Sequence, residues 1–344
     1  MSKLPLGPEK GPMIVAEISG NHNGSLQRAL DIVRAIADTG AHAVKIQTYT
    51  ADTITLNVDT PAFRISEGHE LWGSRKLYDL YEEAHTPWEW HEPIFSLAND
   101  LGMIAFSTPF DETAVDFLET FDVPVYKIAS LEIVDLPLIK QVAETGKPMI
   151  LSVGTGSIAE VAEAVTAARS GGCNDLTLLA CTSSYPAQPD DANLLRMPVM
   201  AQMFGTKVGL SDHTMGLGVS VAAAALGASV IEKHVTLSRA DGGVDSAFSL
   251  EPAELTQLVE ACDMAVRALG SADSWATSAE NESLRLRPSL YISENVRAGD
   301  IATTANIRSV RPGGGLPPKE IDRIIGRVFK ADSTAGTPVD WDLF

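Results

Sequence analysis

Between Met13 and about Leu269 the chain alternates, eight times in succession, a short β-rich run with a segment of helical spacing. The runs are MIVAEIS, AVKIQTY, MIAFSTP, VYKIAS, MILSVG, LTLLACTSSYP, KVGLSDHT and VIEKHVT. Segments such as SLQRALDIVRAIADTG and SIAEVAEAVTAARSGG lie between them, the first expected to open at Ser25 as N-cap and to stop at Gly40. Strands joined by helices become either a closed barrel or an open doubly wound sheet. Eight units in roughly 260 residues match the size of a (β/α)8 TIM barrel. The open sheet would carry a glycine fingerprint after its first strand, and that is missing here. The expected class is therefore α/β: a TIM barrel over residues 1–269, a polar linker over 270–283 (GSADSWATSAENES), and a small second domain of short β runs and Gly/Pro turns over 284–344.

The runs begin apolar and end polar: Glu17, Lys45 and Gln47, Thr108, Lys127 and Ser130, Ser152, Ser183, then His213 and His234. In barrel enzymes the carboxyl ends of the strands surround the active site, so this succession points to a site there. Alternation puts Ser211 and His213 on one face of their strand, and Glu232 and His234 on one face of the next. Adjacent parallel strands lie about 4.8 Å apart, so two imidazoles at matching heights could hold one metal and leave its sphere open to substrate. The alternative is a pair of hydrogen-bonded polar residues with no metal.

Lys45 and Lys127 sit inside β runs, where a lysine is costly unless paired. They could hold a phosphate or carboxylate with Ser130, Ser152 and Ser211 as neutral donors, supply a Schiff-base nucleophile, or form internal ion pairs with Glu17 or Glu132. Those two glutamates are also candidate acid/base groups. Tyr185, and Asp245 in the glycine-rich RADGGVDSAFS, could recognise a polyol. The histidines of HTPWEWHEP fit no metal motif, RPGGGLPP is no dinucleotide loop, and GNHNG reads as a turn before a helix.

Charge narrows the partners. The formal net charge of -19 repels phosphate backbones and anionic lipid, so neither nucleic acid nor membrane is expected as a partner. The 3 cysteines are scattered, which suits a reducing compartment. The amino terminus MSKLPLGPEKGP shows no apolar leader segment, and a cytoplasmic location is expected.

AEISGNHNG, VKIQTYT, FSTPFD, YKIAS, LSVGTGS, SDHTMG and IEKHVTLSRADGGVDSAFSLEP, in that order, resemble the sialic acid synthase family over nearly the whole chain. LYDLYEEAHTPWEWHEPIF is similar to its pseudaminic acid synthase branch, and the closing region resembles the antifreeze-like (SAF) domain of these enzymes. The resemblance implies condensation of phosphoenolpyruvate with an open-chain amino sugar, 2,4-diacetamido-2,4,6-trideoxy-L-altrose in that branch, giving a nonulosonic acid and phosphate. Lys45, Thr108, Lys127, Ser130, Ser152 and Ser211 match its phosphoenolpyruvate positions, and His213 and His234 its ligands for a divalent metal, Mn or Mg with Co as a further candidate. Glu17, Gln47, Glu132, Tyr185 and Asp245 match positions near the sugar and the reacting atoms. Arg311 matches an arginine that one subunit's SAF domain lends to its partner's barrel, which implies a domain-swapped homodimer. Two departures stand out: Ser183 replaces an asparagine that touches ligand in sialic acid synthases, and Pro288 stands where a second arginine is expected. Rival readings are a neuraminate or legionaminate synthase, a Schiff-base lyase using Lys45 or Lys127, and an ice- or glycan-binding protein.

Overall fold

The computed structural model of the chain describes residues 11–68, 71–273, 275 and 277–344. The first ten residues, to which the expectation of no leader applies, lie outside them, as do positions 274 and 276 of the expected linker. Two compact units result, Met1–Gly270 and Ser271–Phe344.

The first unit is a TIM barrel. Its eight strands, all parallel, close in chain order: β1 (Met13–Glu17), β2 (Ala43–Thr48), β3 (Ile104–Pro109), β4 (Tyr126–Ile128), β5 (Met149–Ser152), β6 (Leu176–Cys181), β7 (Lys207–Asp212) and β8 (Val230–His234), with β8 pairing back to β1. The surrounding helices are α1 (Leu26–Ala37), α2 (Ala51–Ile54), α3 (Leu77–Ala84), α4 (His91–Asp100), α5 (Glu112–Glu119), α6 (Leu136–Glu144), α7 (Ile158–Ser170), α8 (Arg196–Phe204), α9 (Gly218–Ala225) and α10 (Pro252–Leu269). Ser25 caps α1 as expected, accepting from the Arg28 N–H at 3.3 Å, and the helix ends at Asp38, two residues before Gly40. Ser157 opens α7 through a reciprocal capping box with Glu160.

Alternation along the strands sorts the core into two layers. Ile14, Val44, Ile46, Ala105, Leu178, Leu210 and Ile231 face outward and pack under the helices. Met13, Val15, Ala43, Phe106, Val125, Ile150, Leu179 and Val230 fill the barrel interior as a separate apolar plug. Stepping two residues further along each strand converts that plug into Glu17, Lys45, Thr108, Lys127, Ser152, Cys181 and Glu232. The polar strand ends of the sequence are thus one continuous layer resting on an apolar floor.

Ser130, Ser183 and His213, expected as strand ends, fall one or two residues past β4, β6 and β7. At the ends of β6 and β7 the backbone takes other partners: the Cys181 carbonyl accepts from Arg196 at 2.5 Å, and that of His213 from the Ala187 N–H at 3.1 Å. HTPWEWHEP supplies core; His91 Nε2 lies 2.7 Å from Thr48 Oγ1, and its ring is edge-on to Phe95 and Phe117.

Gly209 is a close-approach position in β7. A Cβ there would lie 2.2 Å from the Val230 carbonyl oxygen and 2.7 Å from Leu179 Cδ2. Gly209→Ala is expected to push β7 off β8 and cost about 3 kcal/mol, the upper end of ordinary overpacking, because one of the clashing atoms is backbone. An unchanged urea midpoint would contradict this packing.

The second unit pairs β9 (Ser289–Ile292) with β10 (Ile307–Val310) antiparallel over a core of Leu290, Ile292, Val296, Ala302, Ile307, Ile324, Phe329 and Val339. Among the described residues no helix is long and apolar enough to cross a membrane.

Candidate active site at the carboxyl ends of the strands

Register sets the heights. Glu17 is level with Lys45 on one side and His234 on the other, and Ser211 is level with Glu232. The Lys45 ammonium is clamped by the Glu17 carboxylate, donates to Thr108 Oγ1 at 3.1 Å and lies 3.5 Å from Glu232 Oε1. The ion-pair reading of Lys45 therefore holds for Glu17, with Glu232 as a second partner. Burial raises the Glu17 pKa to about 7 against the pull of Lys45, and Glu232 adds to the rise. Burial also opposes ionisation of Glu232, but Lys127 and Lys45 outweigh it and hold this carboxyl below its ordinary range.

Lys127 is different. It is buried, and its Nζ donates to the Ile128 carbonyl at 2.8 Å, with no ion pair among the described residues. Burial lowers its pKa, as expected for an ammonium whose neighbours do not neutralise it fully. Three hydroxyls stand in the same layer. Ser130 Oγ accepts from the Gly154 N–H at 3.1 Å, Ser211 Oγ donates to Glu232 Oε1 at 3.4 Å, and Ser152 Oγ is buried without a partner among the described residues.

The His213 and His234 rings lie with centroids 5.3 Å apart. His213 Nδ1 is 3.0 Å from the Thr182 carbonyl, which can only accept, so the ring proton belongs on Nδ1 and the Nε2 lone pair is free. Burial, reinforced by the charges of His213 and Lys45, keeps the His234 pKa well below its ordinary value, and its buried Nδ1 has no partner among the described residues. Burial opposes charging of His213 too, but Cys181 outweighs it and raises the His213 pKa. A His234 kept neutral by burial, beside a His213 ring already oriented by a carbonyl, fits a divalent cation. Among the described residues no group of three or more His, Cys, Asp or Glu is arranged to hold one.

Above this layer opens a cavity of about 430 Å³ lined by Ser19, Gln47, Ser130, Glu132, Tyr185, His234 and Asp245, among others. Burial raises the Glu132 pKa to about 7, and Glu132 Oε2 has no partner among the described residues. Asp245, its pKa raised by burial, accepts from the Gly20 N–H at 3.2 Å, so the GNHNG amide it engages belongs to the site wall. The Tyr185 ring lies 4.5 Å from that of His213 and 5.5 Å from that of Trp72. Ser183 Oγ is 3.9 Å from Cys181 Sγ, just below the mouth. Arg311 is exposed in the second unit, directly after β10.

Sequence reasoning passed over four groups here. Glu232 was legible from its alternation with His234. Cys181 shares the polar layer by the same period. Tyr49 and Trp72 had no such signal, since their contacts are with residues distant in the chain. Together the groups place two buried lysines with hydroxyls, two neighbouring imidazoles, and two carboxyls with pKa values raised to about 7 in the polar layer and at the floor and wall of the cavity above it. That set can bind an anionic phosphate ester, polarise a carbonyl and move protons.

Residues 32–274 match the NeuB family and residues 287–344 the SAF domain. The chain is 42% identical over 332 residues to the pseudaminic acid synthase of Helicobacter pylori, covering 96% of this chain and 97% of that one. It is 35% identical to the N,N'-diacetyllegionaminic acid synthase of Legionella pneumophila, covering 98% and 96%. The crystal structure of an N-acetylneuraminic acid synthetase from Leptospira borgpetersenii, in complex with citrate, superposes with a TM-score of 0.72 at 30% identity, covering 83% of this chain and 94% of that one.

Proposed function

This chain belongs to the NeuB family, and from that membership we infer a pseudaminic acid synthase, a transferase that forms a carbon–carbon bond between phosphoenolpyruvate and an amino-sugar aldehyde. The sugar is 2,4-diacetamido-2,4,6-trideoxy-L-altrose; the lower identity to the legionaminic acid synthase argues against that neighbouring specificity. One observation carries the reading: Glu132, Asp245, Tyr185 and His234 line a single cavity at the barrel mouth.

Lys127 and Lys45 hold the phosphate and carboxylate of phosphoenolpyruvate, with Thr108, Ser130, Ser152 and Ser211 as neutral donors. The unpaired Ser152 hydroxyl and the ion-pair-free Lys127 support that role. Gln47, Ser183, Tyr185 and Asp245 take the hydroxyl and amide groups of the sugar. His213 and His234 hold a divalent ion, Mn or Mg with Co as a third candidate, which when bound supplies Lewis acidity at the aldehyde oxygen. The C3 methylene of phosphoenolpyruvate bonds to the aldehyde carbon, and Glu132 gives its proton to the aldehyde oxygen. Water adds at the C2 cation and Glu17 accepts one of its protons. The remaining C2 hydroxyl then becomes the keto oxygen as the bond from C2 to the phosphate ester oxygen breaks, and its proton leaves on the released phosphate. Carboxyls with pKa values near 7 suit both transfers.

The barrel is taken as residues 1–269, the linker as 270–283 and the SAF domain as 284–344, whose Arg311 completes the sugar site of a partner subunit in a domain-swapped homodimer. Buried, unpaired cysteines support work in the reducing cytoplasm. The swap has a direct test. Arg311→Ala and Glu132→Gln proteins, each nearly inactive, are unfolded and refolded together. A swapped pair unites an intact barrel with an intact arginine, and activity recovers to about a quarter of wild type, since half the dimers are mixed and each has one whole site. No recovery sinks the swap.

The function itself is tested by phosphate release from phosphoenolpyruvate, using chelated enzyme with and without added Mn and three sugars: the altrose, N-acetylmannosamine and the legionaminic acid precursor. Mn-dependent release confined to the altrose supports the reading; preference for another sugar overturns the specificity.

A further inference from the structure

The cavity has two kinds of wall. The barrel strands and their loops supply the charged and most of the polar side chains, together with Phe110, Leu131 and Val244, whereas the segment inserted between β2 and α4 supplies Ile54, Ile65, Leu77, Leu80 and Ala84 beside Trp72 and Tyr81. On α3 the lining positions 77, 80, 81 and 84 fall at the spacing of one helix face, so the helix turns its apolar stripe into the cavity. Several described residues of the insertion are held against the barrel. Tyr81 packs edge-on against Tyr49 at 5.8 Å between centroids, and Tyr49 against Phe110 at 5.1 Å. The Trp72 indole donates to the Val244 carbonyl at 3.0 Å, beside Asp245. Gly20 permits the close fit of α3, because a Cβ there would lie 3.3 Å from that of Ala84 and 3.2 Å from that of Val244.

A hydroxyl pressed against this face would lose its hydrogen bonds to water and gain none, whereas a methyl group is favoured. A six-carbon sugar whose aldehyde end engages Glu132 and His234 directs its far end away from the barrel. Resting on the function proposed above, we infer that the apolar face of the inserted segment, centred on Leu77 and Ile54, is the specificity surface that reads the C6 methyl of a 6-deoxy amino sugar and rejects a C6 hydroxyl.

The test compares kcat/KM for the 2,4-diacetamido-2,4,6-trideoxy sugar and for its 6-hydroxy counterpart, with the Mn-loaded full chain. Wild type is expected to favour the deoxy sugar at least tenfold, the range a single pocket group commands. Leu77→Asn and Ile54→Asn, both at half-buried positions, should each cut that ratio about tenfold with the KM for phosphoenolpyruvate unchanged, while Leu77→Met keeps it. Equal use of both diacetamido sugars by wild type overturns the inference without any variant and leaves the synthase reading standing. So does an unchanged ratio in either asparagine variant that melts like wild type. Wild-type preference for N-acetylmannosamine overturns the inference and the proposed specificity together.

Discussion

Glu132→Gln is expected to lower kcat by 10²- to 10⁴-fold, the usual contribution of one positioned general acid. The amide keeps the size of the carboxyl but cannot deliver a proton. Burial holds Glu132 protonated up to about pH 7, so as the acid it must carry its proton, and its contribution falls as pH rises through 7. Glu17, also near 7, must be ionised to accept a proton, so its contribution rises through the same region. Wild-type kcat/KM for the sugar should therefore be a narrow bell centred near neutrality, with apparent values shared between the two groups. Glu132→Gln should retain the rising acid limb and lose the falling alkaline one. A variant profile with both limbs intact would remove Glu132 from the proton path.

The same shift has a stability signature of opposite sense. The folded-state pKa of about 7 lies above the ordinary 4.5, so the native protein binds the extra proton between those values and loses stability as pH rises through them. Glutamine carries no such penalty. Above pH 7 Glu132→Gln should unfold later than wild type, by something on the order of 3 kcal/mol at most, while below about pH 4 the two should converge. A protein that is more stable and far less active cannot owe its inactivity to collapse of the fold.

The period of two made most of the barrel legible. Met13, Val15 and Glu17 on one strand, or Val230, Glu232 and His234 on another, carry the change from floor to polar layer in their order alone. The pairing of His213 with His234 followed from strand adjacency, because consecutive parallel strands of a closed barrel are neighbours. What alternation cannot convey is how charges pair within the layer. Lys45 and Lys127 look alike in sequence, yet Lys45 meets Glu17 and Glu232 whereas Lys127 meets a carbonyl, a difference set by side-chain reach across three strands. The inserted segment carried a branch resemblance in LYDLYEEAHTPWEWHEPIF, but its packing onto the barrel was not legible. Trp72 engages Val244 across 172 positions, and no local period encodes such a contact. Charge alone offered little on the site either: a net -19 describes the outer surface, while inside the barrel two buried lysines stand beside buried carboxyls.

His234→Ala should abolish tight retention of a divalent ion and, with it, nearly all phosphate release. With two protein ligands, removing one leaves a single imidazole, so affinity should fall by 100-fold or more, beyond the 10- to 100-fold typical when only a ligand's supporting partner is lost. Manganese bound per chain after dialysis against a fixed free-metal concentration reads this without reference to turnover. His213 should behave alike, because the Thr182 carbonyl fixes its Nδ1 proton and turns Nε2 into the donor. The decisive contrast is Lys127→Met. It takes a cation from the anion seat and leaves both imidazoles, so metal binding should persist while the KM for phosphoenolpyruvate rises steeply. If His234→Ala holds metal as wild type does, the pair is a hydrogen-bonding element and the cation, if the enzyme uses one, is held elsewhere. If Lys127→Met loses the metal as well, the anion seat and the metal site are one linked structure, and the separate roles assigned to the lysines and the histidines fail together.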